Sequence, residues 1–172
     1  MDAYIAALVL ALIVPTYALI TTKADLKEAL GTKERVWTVL RNFDRQHTCV
    51  YAWNGTLTED DYEFEQYYKD KEGRNVQHHL HGSLSDDASG AVLTVSHKKG
   101  GEPNIPYTLK YWNSNQKCGF LTFTDKNGEV LCEVHVWEEN LATGTKFCEQ
   151  LYEEICGFSA GKYEVTHSGC YS

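Results

Sequence analysis

The sequence predicts a mainly β protein: an eight-stranded antiparallel up-and-down barrel with a short helix before it and a second helix packed outside. Three observations predict this. Eight segments rich in β-branched and aromatic residues follow one another at spacings of about ten to fourteen residues, with turn-forming clusters between them. One amphipathic stretch follows the last of them. Six cysteines, none in a Cys-x-x-Cys pair, provide the means of tying such a hollow domain together.

The chain begins with an apolar run from Tyr4 to Val14, followed by Pro15 and the small residues Thr16 and Ala18. This predicts a secretory signal over residues 1–18 and one domain from 19 to 172. The run falls short of the roughly twenty apolar residues that a membrane span needs. Next, Thr22 to Gly31 reads as a short helix. Thr22 caps it, Leu26 and Leu30 share a face, and Gly31 ends it. The period then changes to two. Arg35–Phe43, Thr48–Trp53, Tyr62–Tyr68, Val76–Leu84, Ala91–His97, Tyr107–Trp112, Gly119–Thr124 and Glu129–Trp137 are the predicted strands, with Asn127-Gly128 as a hairpin turn. Phe147, Cys148, Leu151, Tyr152 and Ile155 fall on one helical stripe, opposite Glu149, Glu153 and Glu154. Lys162 to Cys170 reads as an extended tail.

Eight antiparallel strands in one domain are best closed into a barrel, which leaves no free edge. Such a barrel has an interior just wide enough for one small ligand. The charge balance of 16 basic against 24 acidic residues, without a basic cluster, argues against nucleic-acid and anionic-membrane partners. No nucleophile motif and no glycine-rich phosphate loop is present, so an enzyme is not expected, and no cofactor is implied. His79 and His81 share a strand face, but two imidazoles are too few for a closed zinc site and no metal is expected there. Asn54-Gly55-Thr56 is the one glycosylation sequon, which makes Asn54 a candidate glycan site.

The order Cys49-Val, Cys118, Cys132-Glu-Val-His-Val-Trp, Cys148, Cys156 and Cys170, with Glu34-Arg-Val-Trp-Thr-Val as an opening strand, resembles the tick salivary lipocalins of the histamine-binding type. The resemblance covers nearly the whole mature chain. It implies a secreted, monomeric lipocalin barrel that sequesters a small host mediator, histamine or a related amine first. A leukotriene or fatty acid is the alternative ligand. A host protein bound on the outer surface, at the loops Ser85–Gly90 and Lys98–Pro106, is a third reading. The family's amine pattern aligns as Cys118-Gly119-Phe120, twelve residues, Glu133-Val134-His135, twelve residues, Cys148. Gly119 stands where the family has an acid and His135 where it has an aromatic, leaving at most one amine site.

Strand alternation places Glu133, His135 and Trp137 on one side and Cys132, Val134 and Val136 on the other. With the family framework this implies the disulfides Cys118–Cys148, Cys132–Cys156 and Cys49–Cys170, each stabilising by about 2–4 kcal/mol. The expected ligand-binding residues are Glu133, His135, Trp137, Trp37 and Phe43. An ammonium would meet the Glu133 carboxylate, with an aromatic face giving a cation–π contact. Equally open is a Glu133 that pairs internally with Arg41, His135 or a tyrosine hydroxyl. A cationic His135 would instead favour a carboxylate-bearing lipid.

Overall fold

The structure is a computed structural model and describes residues 20–102, 104–157 and 161–171. The expected secretory segment 1–18 lies outside the described residues. Eight antiparallel strands run up and down in chain order: β1 (Val36–Arg41), β2 (Thr48–Leu57), β3 (Asp61–Lys69), β4 (Asn75–Asp87), β5 (Gly90–Ser96), β6 (Ile105–Asn113), β7 (Cys118–Thr124) and β8 (Val130–Trp137). Each pairs with the next, and β1 pairs with both β8 and β2, closing the barrel. The closing seam is short, limited to Val36 opposite Ala52 and Trp37 opposite Tyr51. Beyond it the C-terminal tail takes over. β9 (Tyr163–Glu164) pairs with Leu40 and Arg41, Val165 N–H donates to the Val39 carbonyl at 3.0 Å, and Cys49 N–H donates to the Val165 carbonyl at 2.8 Å. Backbone groups that the parted strands would leave unpaired are thereby satisfied.

Helix α1 (Lys23–Leu30) plugs one end of the barrel. Its start is set by a capping box in which Thr22 and Asp25 bond each other's backbone N–H groups. Leu26 is buried in the barrel interior with Tyr62, Phe64, Leu80, Leu93 and Leu109. Polar ties fasten the plug to the rim: Lys23 N–H to Asp86 Oδ1 at 2.7 Å, Lys27 Nζ to Glu59 at 2.6 Å and Lys117 Nζ to Glu28 at 3.1 Å. The opposite end, formed by the loops after β1, β3, β5 and β7, is the mouth.

Helix α2 (Leu141–Cys156) lies outside β7 and β8. Its approach depends on Gly144, where an added Cβ would sit 2.4 Å from the Gln116 carbonyl and 2.8 Å from Val136. The helix covers a second apolar cluster of Trp37, Phe120, Val134, Val136, Cys148 and Tyr152. The cysteines join as Cys118–Cys148, Cys132–Cys156 and Cys49–Cys170, the pairing the resemblance implied. Two bridges bind α2 to the barrel wall and the third secures the tail.

Several boundaries differ from the sequence reading. β2 extends to Leu57, beyond the expected Trp53, because a bulge absorbs the turn-like Asn54-Gly55 pair. Asn54 takes a φ of 55°, which asparagine tolerates, and Gly55 is needed because the Tyr62 ring lies 2.3 Å from where its Cβ would be. The segment 85–90, read as a loop, is mostly strand: Asp87 pairs with Gly90 across a two-residue hairpin. That hairpin is at the plugged end and the loop after Ser96 is at the mouth, so the two form no common surface.

Candidate functional site

Between plug and mouth the barrel encloses a cavity of about 290 Å³. Its floor and middle are apolar, built by Leu26 and Leu30 of α1 with Phe64, Leu80, Leu93 and Leu121 of the strands. Polar groups gather toward the mouth. On β8, alternation holds where it was tested: Glu133 and His135 line the cavity, while Cys132, Val134 and Val136 face α2.

Glu133 is 5 % exposed and Arg41 3 %. Arg41 Nε donates to Glu133 Oε1 at 2.9 Å, and His135 Nε2 lies 3.2 Å from Oε2. A bulge in β1 makes the first contact possible. Thr38 pairs with His135 but Leu40 pairs with Val134, so the alternation slips by one residue there. Val39 and Leu40 both border the outer groove, and Arg41 comes to lie opposite Glu133. Burial works to raise the Glu133 pKa. The His135 hydrogen bond and the Arg41 charge overcome it, and hold the carboxyl at about 2. Glu133 is therefore an ionised group with both oxygens engaged.

The other expected ligand contacts are placed elsewhere, and each aromatic already faces a cation of this chain. Trp37 points outward into the cluster under α2, because its neighbours Val36 and Thr38 take the inward positions; its ring is 6.0 Å from the Arg35 guanidinium. Trp137 sits at the plugged end, where Nε1 donates to the Ala29 carbonyl at 3.0 Å and Lys117 Nζ covers the ring at 4.7 Å. Phe43 lies past the end of β1, edge-on to Phe123 at 5.6 Å, with Arg41 at 5.3 Å and Arg45 at 5.2 Å. None of the three borders the cavity. The space an acid at position 119 would need is also filled: a Cβ on Gly119 would meet the Tyr111 carbonyl at 2.7 Å and the Trp112 ring at 3.0 Å.

The mouth holds a set of residues that strand alternation does not reveal. Arg45, from the β1–β2 loop, borders the cavity and covers Phe43 and Phe123, and among the described residues no acidic side chain pairs with it. The Tyr107 hydroxyl borders the same cavity and feels the Arg45 charge. Burial foremost, then the Glu133 charge, push that hydroxyl up to about 12, so it stays protonated. Across the opening, His47 stacks on Tyr68 at 4.1 Å and the Tyr68 hydroxyl meets His78 Nε2 at 3.1 Å. The His97 ring stands edge-on to His78 at 5.4 Å. His79 and His81, the pair singled out in the sequence, face away and are bonded to Glu65 at 2.7 Å and Asp61 at 3.1 Å. His167 lies beside the sulfurs of Cys49 and Cys170, but those are spent in a disulfide.

A closed antiparallel barrel, plugged at one end and open over an internal cavity, is a lipocalin-type fold. Solved structures agree. Japanin from Rhipicephalus appendiculatus, bound to cholesterol, is 15 % identical with a TM-score of 0.54, over 81 % of this chain and 95 % of that one. A serotonin complex of AM182 is 12 % identical with a TM-score of 0.58, over 86 % and 91 %. Lobster apocrustacyanin A1 is 9 % identical with a TM-score of 0.53, over 78 % and 77 %. At these identities the likeness is one of fold. Comparison with protein-family models and with curated proteins returns no match.

Proposed function

We propose that this protein is a secreted small-molecule carrier, not a catalyst, and that its cavity takes an amphiphile bearing an acid group. The observation that carries this reading is the distribution of charge. Glu133, the carboxylate an amine would need, has one oxygen bonded to Arg41 and the other to His135, whereas Arg45 at the mouth has no carboxylate within ion-pair distance among the described residues and acts on Glu133 only through its charge. The fixed charges Arg41, Arg45 and Glu133 leave the site one positive charge in a chain whose net charge is −8. An aliphatic tail fits the apolar floor, and the acid reaches Arg45 with the protonated Tyr107 hydroxyl as a second donor. A cavity of about 290 Å³ suits a short or medium chain. Sequestration of a host mediator outside the cell follows from the resemblance, and the three disulfides suit that oxidising setting. A glycan at the exposed, bulged Asn54 would project away from the cavity.

An amine remains the second reading, favoured by the likeness to the serotonin complex and by the place of Glu133 in the cavity wall. Calorimetric titration with decanoate, a leukotriene, histamine and serotonin separates the two. The expected result is that decanoate binds more tightly than the longer leukotriene and that Arg45→Gln weakens it about tenfold or more, the effect of a hydrogen bond to a charged group. Tighter binding of histamine or serotonin, abolished by Glu133→Gln, would establish the amine instead. If none of the four binds, recognition of a host protein by the outer surface takes precedence.

A further inference from the structure

We propose that the mouth of the barrel takes the phosphate monoester head of an amphiphile, between Arg45 and the row of imidazoles His47, His78 and His97. The proposal rests on the acid-bearing amphiphile described above and names its acid. Two properties of the mouth favour a phosphate over a carboxylate: its charge and its supply of donors.

All four residues border the cavity, and among the described residues none has a carboxylate within ion-pair distance; the histidines so paired are His79, His81 and His135. Acids of the neighbouring loops are committed elsewhere. Asp44 accepts the Gln46 N–H at 2.8 Å, and Asp70 bonds Arg74 at 2.7 Å. Glu133 is answered by Arg41 and His135. A proton on His47 is opposed by burial and then by the charges of Arg41 and Arg45, with Asp70 acting weakly the other way. An anion seated at Arg45 lifts part of that opposition. A carboxylate brings one charge and does no more than cancel Arg45. A phosphate monoester brings about 1.5–2 negative charges at pH 7, enough for Arg45 and a protonated His47 together.

The donors point the same way. A carboxylate has two oxygens, for which Arg45 and the Tyr107 hydroxyl suffice, leaving the imidazoles unused. A phosphate monoester has three terminal oxygens, and an imidazole donates an N–H whether neutral or charged. The row is fixed by Tyr68: His47 stacks on its ring at 4.1 Å, and its hydroxyl meets His78 Nε2 at 3.1 Å. His97 stands edge-on to His78 at 5.4 Å. The next inward residues on those two strands, Leu80 and Val95, are apolar, so a head held here leads its tail toward the floor.

The test is calorimetric titration of the whole mature protein at pH 7, in a buffer free of phosphate, with decyl phosphate, decanoate and inorganic phosphate. Decyl phosphate should bind about tenfold or more tightly than decanoate, whose tail is nearly the same, and far more tightly than inorganic phosphate, which has no tail. His47→Ala and His97→Ala should each weaken decyl phosphate about tenfold and decanoate less, bringing the ratio of the two affinities toward one. Arg45→Gln should weaken both, while His79→Ala, which faces away from the cavity, changes neither. Circular dichroism and thermal melting establish that each variant is folded. Decanoate binding as tightly as decyl phosphate, or a preference for the phosphate that survives in His47→Ala/His97→Ala, would overturn this proposal and leave the acid-bearing amphiphile standing. Inorganic phosphate binding as tightly as decyl phosphate would overturn the part played by the tail. Failure of both amphiphiles to bind would remove the broader reading and this one with it.

Discussion

Replacing Glu133 with glutamine removes the charge around which Arg41 is buried. The carboxyl of Glu133 is held at about 2 against an ordinary 4.5, so the folded state binds its proton less readily than the unfolded chain does. At about 1.4 kcal/mol per pH unit, this linkage amounts to about 3 kcal/mol of stability. The contribution is fully present above pH 4.5 and is lost as the pH falls toward 2, because a depressed carboxylate stabilises only while ionised. Near pH 7, Glu133→Gln leaves a buried guanidinium without its counter-charge, for an expected loss of about 3–5 kcal/mol. The assay is urea unfolding of both proteins, disulfides intact, at intervals from pH 7 to pH 2. The gap in stability between them should narrow by about 3 kcal/mol below pH 4.5. A gap that stays constant through that window would refute the account of the pair.

Two other perturbations test the surrounding geometry. Gly119→Asp, which restores the acid of the resembled family, should cost about 1–3 kcal/mol by thermal melting because its Cβ collides with the Tyr111 carbonyl, and should confer no histamine binding. Trp137→Phe removes the bond to Ala29, worth about 1 kcal/mol, and should speed amide exchange across Lys23–Leu30 about fivefold; unchanged protection there would mean that the tie does not hold the plug.

How much of this was legible in the sequence depends on where alternation applies. It correctly sorted β8, placing Glu133 and His135 inward and Cys132, Val134 and Val136 against α2. It also located all eight strands, since each carries its own β-branched and aromatic run. Trp137 keeps that same side but, at the end of β8, packs on Ala29 of the plug and on Trp112 and does not border the cavity. Alternation has no meaning for Phe43, which lies beyond β1. The β1 bulge that aligns Arg41 with Glu133 leaves no mark in a period-two pattern. The mouth residues were hidden for a different reason. Arg45, His47 and His97 lie outside the strands, and only the fold gathers them with Tyr68 and His78.

The placement of the disulfides gives the barrel two unequal halves. Both bridges to α2 start from β7 and β8, the third from the beginning of β2, and there is no cysteine between Cys49 and Cys118. The shell that bears Arg41, Glu133 and His135 is thus cross-linked and stiff. The shell formed by β3 to β6, which supplies Tyr68, His78 and much of the apolar lining, has no covalent cross-link and is held by hydrogen bonds, packing and ion pairs such as Lys99 with Asp61. The expected consequence is a barrel of two unequal valves, with amide exchange faster in the uncross-linked strands than in β7 and β8, where two bridges fix the wall to α2.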